Sequence, residues 1–290
     1  MSGQQGHIAV LSREVLENLI STGCRVFVDA TVGGAGHSIG LLDRNRQLHI
    51  IGIDRDQEAL DRAERTLEGY SDRVTLLRGN FSNLKELLEG IGVTSIDGIL
   101  FDLGISSYQL AAGRGFSFND DEELDMRMDT RDALTAYEIV NSFRQDEIAR
   151  ILYEYGEEWQ SRKIAKAIFD GRRKGRIRTA RELAGIVSAV KKKTGKTHPA
   201  TKTFQALRIA VNDELGSLSK GMDTAAQLLS RGGRIGIITF HSLEDRMVKQ
   251  RFRGDDALTV LTRKAIKPGI EEIRSNPRSR SAKLRVAEKN

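Results

Sequence analysis

Hydrophobic and polar positions fall into blocks along the first hundred residues, and the blocks alternate between two periodicities. Ile8 to Ile20 puts Val10, Leu11, Val15, Leu16 and Leu19 at helical spacings. Val26 to Asp29 and Leu48 to Asp54 are short β-favouring runs, with Ser38 to Arg46 predicted as a short helix between them. Asp56 to Leu67 predicts a helix that buries Ala59, Leu60, Ala63 and Leu67. Val74 to Leu77 reads as a third strand. Ser82 is expected to cap a helix with Leu84, Leu87, Leu88 and Ile91 on one face, and Asp97 to Asp102 reads as a fourth strand. Strands and helices in regular alternation imply a parallel sheet with right-handed crossovers.

The rhythm breaks near Leu110, and no strand pattern follows until Ala210. Gly113 to Phe118 and the acidic run Asn119 to Asp125 predict an ordered loop. Three helical stripes come next. The first carries Ile148, Ile151, Leu152 and Tyr155. The second carries Leu183, Ile186, Val187 and Val190 and is entered through Thr179-Ala180-Arg181-Glu182, a capping box; the third carries Phe204, Leu207 and Val211. The sheet pattern then returns. Ala225 to Leu229 closes a helix, Arg231-Gly232-Gly233 predicts a turn, Arg234 to Phe240 a fifth strand, and Val248 to Phe252 a helix. Leu258 to Thr262 and Ala282 to Ala287 read as a last pair of strands. No helix of convincing length is predicted between them, so they are expected to pair antiparallel. The expected organisation is a discontinuous catalytic domain of residues 1-110 and 211-290 around a helical insert of residues 111-210.

The chemistry concentrates where the first strand ends. Asp29 is followed by Gly33-Gly34-Ala35-Gly36-His37-Ser38, a glycine-rich turn into a helix. Such a turn lets backbone approach a ligand closely, and the helix start offers N–H groups to polar or anionic atoms. Asp54 ends the second strand, where a carboxylate can accept both hydroxyls of a ribose. That pair of features serves a nicotinamide dinucleotide and S-adenosylmethionine alike. G-x-G-x-x-G is missing, because Gly34 and Gly36 are followed by Ile39, and an antiparallel closing pair favours a methyltransferase sheet over a dinucleotide fold. Helix capping is the plain structural alternative for Asp54. Asn80 and Phe81 follow the third strand and could meet an adenine by hydrogen bond and stacking, with burial in the core the rival role for Phe81. Asp102 follows the fourth strand and His241 the fifth, both at the sheet edge where chemistry would occur. His37, His241 and Asp102 have no compact metal-ligand spacing, so no metal is expected.

Composition narrows the setting. The net charge of +6 hides an asymmetry: Ser161 to Lys202 holds 14 Lys/Arg against two acids, whereas the other 248 residues hold 32 Lys/Arg against 38 Asp/Glu. A basic segment on an acidic body points to a polyanion partner. Its densest cluster is Arg172, Arg173, Lys174, Arg176 and Arg178, with Arg114, Arg278 and Arg280 as further candidates. A single cysteine, Cys24, cannot form an internal disulfide and is expected in the core. Met1 to His7 lacks the basic head and apolar core of a secretory signal, and no apolar run reaches the roughly 20 residues of a membrane span. A cytoplasmic setting is expected.

Several long blocks, in order, resemble the RsmH (MraW) family of bacterial S-adenosylmethionine-dependent methyltransferases. They are Asp29 to Ser38, Gly52 to Asp56, Gly79 to Leu84, Asp102 to Ser107, Arg114 to Phe118, Leu124 to Asp129, His198 to Asn212, Phe240 to Asp245 and Asn276 to Lys283. The resemblance implies an α/β fold, a class I (Rossmann-like) S-adenosylmethionine methyltransferase sheet with an inserted all-helical domain that contacts RNA. The implied reaction is methyl transfer to the exocyclic N4 of a cytidine in the decoding region of 16S rRNA, within the small ribosomal subunit. It implies cofactor contacts at Ala35, Gly36, His37, Asp54, Phe81, Asp102 and Gln109, beside the turn glycines Gly33 and Gly34, and a possible homodimer. Asp102 and His241 are the candidate catalytic residues. One departure stands out: the family often has proline where this chain has Tyr108, which loosens the backbone restraint before Gln109. A DNA amino-methyltransferase and a non-catalytic factor for subunit binding or assembly are the alternative readings.

Overall fold

The computed structural model describes residues 9–21, 23–111, 113–118, 121–192, 195 and 197–290. The expectations for residues 1–8, for Asn119 and Asp120, and for Lys193 and Lys196 of the basic segment lie outside these. The chain divides into two compact units, Met1–Gly104 with Gly216–Asn290, and Ile105–Leu215.

The first unit begins with α1 (Ser12–Leu19), β1 (Val26–Asp29), α2 (Gly36–Arg44), β2 (His49–Asp54), α3 (Gln57–Thr66), β3 (Val74–Arg78), α4 (Leu84–Glu89) and β4 (Ile96–Asp102). The helical unit holds α5 (Ser107–Ala111), α6 (Ala136–Ser142), α7 (Gln145–Glu154), α8 (Ser161–Arg172), α9 (Ala180–Val190) and α10 (Thr201–Asn212). Then come α11 (Glu214–Leu228), β5 (Leu229–Thr239), α12 (Ser242–Arg253), β6 (Leu258–Val260), α13 (Ile270–Ser275) and β7 (Lys283–Lys289).

The seven strands form one sheet in the order β3-β2-β1-β4-β5-β7-β6. Strands β1 to β5 run parallel; β7 pairs antiparallel with β5 and β6 antiparallel with β7. The closing pair is therefore as expected, although the short α13 and a 3-10 turn at Pro277–Ser281 lie between its strands. The central strands are continuous apolar runs because helices cover both faces of a parallel sheet. Two separate apolar clusters line those faces. One holds Val28, Ile51, Phe81, Ile99, Phe101 and Met222, and the other holds Leu19, Phe27, Leu41, Ile50, Leu100 and Val286. Gly98 on β4 permits this packing, since a Cβ there would lie 2.5 Å from Phe27 Cδ2.

Two local expectations are corrected, and the structural alternative for Asp54 is set aside. Asn80, not Ser82, caps the turn after β3: its side chain accepts the Ser82 N–H at 3.0 Å. Arg231-Gly232-Gly233 is no turn but part of β5, with Gly232 at φ +76° where the register shifts between Ile96 and Gly98 of β4. Asp54 does not cap α3; Asp56 does, accepting the Glu58 N–H at 3.1 Å. The capping box at Thr179 and Glu182 is formed as read. Cys24 is buried in the core.

The helical unit has its own apolar core, which includes Leu124, Ile139, Ile148, Leu152, Ile168, Leu183 and Leu207. Asn212 ties the loop ahead of α6 to α10, accepting the Met128 N–H at 2.7 Å and donating to the Met126 carbonyl at 2.8 Å.

Candidate active site

Parallel strands send their carboxyl ends to one edge, and there β1, β2 and β4 bring three acids together. Asp29 closes β1 and is buried. Its Oδ2 accepts the Ser38 hydroxyl at 2.7 Å and its Oδ1 the Thr31 N–H at 3.4 Å. Burial raises the Asp29 pKa against the opposing pull of His37 and Ser38. Asp54 closes β2. It accepts the Gly33 N–H at 3.0 Å through Oδ2 and the Asp56 N–H at 2.9 Å through Oδ1. Burial outweighs these bonds and pushes its pKa up to about 6. A carboxylate so placed has a strong incentive to gain further donors.

Asp54 thus holds the glycine turn itself. Gly33 takes φ +51° and Ala35 φ +64°. Left-handed backbone at a residue with a Cβ costs roughly 1–2 kcal/mol, and such strain gathers at functional sites. The strained turn delivers α2 with no side-chain hydrogen bond capping its first turn. Its N-terminal N–H groups and the positive end of the helix dipole face this edge of the sheet.

His37 sits in that first turn and is buried, with Nε2 3.5 Å from Asp102 Oδ2 at the end of β4. The groups attract at this distance without forming a short hydrogen bond. Burial pulls the imidazole towards its neutral form, but Asp102, Asp29 and Glu272 outweigh it and the His37 pKa is raised. Asp102 is oriented through its backbone, whose N–H donates to Thr31 Oγ1 at 2.7 Å. Three buried atoms here, His37 Nδ1, His37 Nε2 and Asp102 Oδ1, have no hydrogen-bond partner among the described residues. Buried polar atoms are normally satisfied, so these are the positions a ligand would complete. Asp29, Ser38 and Thr31 form the supporting layer; the sequence signals only their place beside the turn.

The remaining expected residues are each engaged in local packing or hydrogen bonds. Phe81 is buried and packs edge-on against Phe101, with ring centroids 5.3 Å apart. Gly221 of α11 makes room for both rings, since a Cβ there would come within 2.9 Å of Phe81. Asn80, proposed to meet an adenine, spends its amide on Ser82 N–H and on Ser217 Oγ, 3.1 Å away. Gln109 lies on α5 in the helical unit, where its Oε1 accepts the Ser106 N–H at 3.0 Å. His241 is the N-cap of α12: Nδ1 accepts the Glu244 N–H at 3.4 Å, and Nε2 lies 3.0 Å from Glu244 Oε1. The Nδ1 contact holds the helix start, whereas Nε2, although close to Glu244 Oε1, is a buried atom with no hydrogen-bond partner among the described residues.

In the basic segment, Arg172 is used internally. Its Nη1 donates to the Val140 and Phe143 carbonyls at 3.0 and 2.7 Å, and its guanidinium lies over the Phe169 ring. Arg173, Lys174, Arg176 and Arg178 are exposed. Arg114 donates to the Arg127 and Met128 carbonyls, both at 3.3 Å, within the helical unit. Arg278 and Arg280 are exposed.

Comparison with known proteins gives this arrangement its context. The model of the MraW methylase family matches residues 4–290. A protein of a Sulfurihydrogenibium species named ribosomal RNA small subunit methyltransferase H is 49% identical over 286 residues, which is 97% of this chain and 98% of that one. Proteins of the same name from Persephonella marina and Clostridioides difficile are 47% and 45% identical, each covering 98% of this chain and respectively 99% and 98% of their own. With a family match along almost its entire length and nearly half its residues shared with such relatives, the chain belongs to the MraW methylase family.

Proposed function

We propose that the protein transfers the methyl group of S-adenosylmethionine to the exocyclic N4 of a cytidine in the decoding region of 16S rRNA. The observation that carries this reading is the edge formed by Asp54, the start of α2 with no side-chain cap, and Asp102 Oδ1, which has no hydrogen-bond partner among the described residues, in a chain of this family. The relatives' name supplies the small-subunit ribosomal RNA.

The residues fit the cofactor's chemistry. Asp54 is an acceptor for a vicinal ribose diol. The Gly33 to Gly36 backbone and the start of α2 suit a carboxylate, and His37 Nδ1 offers completion to a polar group of the amino-acid end. When bound, S-adenosylmethionine supplies an electrophilic methyl on a sulfonium.

Cytosine's exocyclic amine is a poor nucleophile because its lone pair is delocalised into the ring. Asp102 Oδ1 counters this by accepting an N–H of that amine, which returns electron density to nitrogen. With the cofactor bound, N4 would take the methyl group as the sulfonium becomes a neutral thioether, and the Asp102 carboxylate would receive the proton that N4 gives up. Thr31, through the Asp102 N–H, and His37, beside Oδ2, keep the carboxyl in place for in-line geometry. His241 is a positioning residue in this scheme, holding α12 through Glu244.

The helical unit contributes phosphate contacts through Arg173, Lys174, Arg176 and Arg178. A ribosomal RNA substrate puts the reaction in the cytoplasm; no helix among the described residues is long and apolar enough to cross a membrane. A homodimer follows from the family resemblance, and sedimentation reads it: twice the chain mass supports it and the chain mass alone rejects it.

The test is incubation with labelled S-adenosylmethionine and, in parallel, naked 16S RNA, small subunits lacking the modification, and DNA. Label on a decoding-region cytidine is the expected result. Label in DNA assigns an amino-methyltransferase of DNA instead, and tight subunit binding with no label assigns a non-catalytic factor.

A further inference from the structure

On the same unit, away from the acids of β1 and β2, a cavity of about 490 Å³ opens between α12 and the chain connecting β6 to β7. Its walls are cationic by construction. Asp245, Lys249 and Arg253 recur every four residues and so share one face of α12. Lys283 and Arg285 alternate on β7 and so share one face of the strand. Arg263, Lys264 and Lys267 complete the rim.

Seven Lys and Arg side chains thus face one carboxylate, Asp245, and that carboxylate is already taken. Lys283 Nζ donates to its Oδ2 at 2.8 Å and Arg285 Nε to its Oδ1 at 2.7 Å. Arg285 is 8% exposed, a guanidinium fixed in the floor. No carboxylate pairs with Arg253, Arg263, Lys264 or Lys267 among the described residues. The rim is held as well as the floor. Ile266 exchanges two 2.9 Å backbone hydrogen bonds with Leu284, and Thr262 Oγ1 accepts the Val286 N–H at 2.8 Å. The cations are therefore presented from paired backbone, which reduces the ordering cost of binding a polyanion.

Strand register relates this cavity to the reacting edge. Asp102 of β4 pairs with Ile238 of β5, and the next residue, Thr239, pairs with Lys283 of β7. Lys283 is two strands from Asp102, about 10 Å at roughly 4.8 Å per strand, and on the same edge of the sheet. Every lining residue except Ala265 carries a charge, and seven of the eight charges are positive, so the cavity suits an anionic ligand.

We infer that this cavity grips the ribose-phosphate backbone of RNA flanking the nucleotide presented at Asp102. The inference rests on the RNA substrate proposed above and adds a second phosphate-binding surface, on the catalytic unit. It uses residues scattered between 245 and 285, none of them in the basic segment of the helical unit.

The experiment uses the full chain with Arg263→Gln, Lys264→Gln and Lys267→Gln combined, and separately with Lys249→Gln and Arg253→Gln on the facing wall. All five side chains are exposed. Binding of unmodified 16S RNA and of small subunits is measured across salt, with methyl-transfer kinetics and S-adenosylmethionine affinity on the same samples. The expected result for the triple variant is a log affinity against log salt slope shallower by about two to three. RNA KM should rise roughly tenfold or more, with kcat and cofactor affinity unchanged. The double variant should show the same pattern with a smaller change. Unchanged slope and KM in both variants overturn the inference while leaving the methyl-transfer reading intact. Loss of binding to phosphatidylglycerol vesicles with RNA binding unchanged overturns it in favour of a membrane surface. Wild-type protein that methylates no RNA refutes the underlying reading itself.

Discussion

Asp54→Asn removes one negative charge from the end of β2 while nearly preserving shape. In the wild-type protein this carboxyl titrates at about 6 in place of 3.8, so the ionised form is disfavoured by about 3 kcal/mol at 1.36 kcal/mol per unit. Partial exposure makes that an upper bound. Asn relieves this cost, but its single carbonyl oxygen can serve only one of the two backbone donors, Gly33 N–H and Asp56 N–H, and losing the other costs about 1–3 kcal/mol. The two terms nearly cancel, so the ligand-free melting temperature should move little. Binding has no such compensation. A ribose hydroxyl donating to a carboxylate contributes about 1.5–3 kcal/mol, so S-adenosylmethionine affinity should fall by about 10- to 150-fold. Calorimetric titration at pH 7.5 reads the loss. Because ribose donors favour the ionised form, wild-type affinity should also decline as pH drops through about 6, by up to about tenfold per unit, and the Asn variant should be flat there. Affinity within twofold of wild type, or a large loss of melting temperature with affinity intact, would show that Asp54 merely supports the turn.

Other outcomes separate structural from chemical roles. His241→Ala should cost about 0.5–2 kcal/mol as a lost helix cap, and His241→Asn, itself a good cap, should restore both melting temperature and turnover; failure of Asn to restore turnover would make the imidazole a base. Gly98→Ala should lower stability by about 1–3 kcal/mol, because its Cβ would collide with the buried Phe27 ring, and an unchanged thermal melt would contradict that packing. Neutralising Arg173, Lys174, Arg176 and Arg178 together should flatten the salt dependence of RNA binding, and an unchanged slope would remove the helical unit from the phosphate contacts.

Much of this fold can be read in order along the chain because its signals are local. The runs Val26 to Asp29 and Asp97 to Asp102 read as strands since a sheet covered on both faces needs unbroken apolar residues, and both form as strands. Thr179 with Glu182 is a capping box in sequence and in space. The sequence is least legible where distant partners decide. Phe81 reads equally as a stacking ring or a core ring until Gly221 and Phe101 arrive beside it from elsewhere in the chain. Gly232 and Gly233 look like a turn, yet they lie within the span of β5, in the irregular stretch between the Ile96–Leu229 and Gly98–Arg234 pairs, where Gly232 takes a positive φ. His241 did carry a local signal: glutamate three residues on is the capping-box spacing, with histidine in the serine or threonine position. Thr31 holding Asp102 had none, because strand order alone brings the two together.

Product identity tests the proposed chemistry most directly. Small subunits lacking the modification are incubated with S-adenosylmethionine and either wild-type or Asp102→Ala protein, and their RNA is digested to nucleosides for mass analysis. The expected product is N4-methylcytidine from the decoding region, formed about 10²- to 10⁴-fold more slowly by the variant at saturating cofactor. A methyl group on a ring carbon or a ribose oxygen, or equal rates from the two proteins, would contradict methyl transfer to an amine held by Asp102.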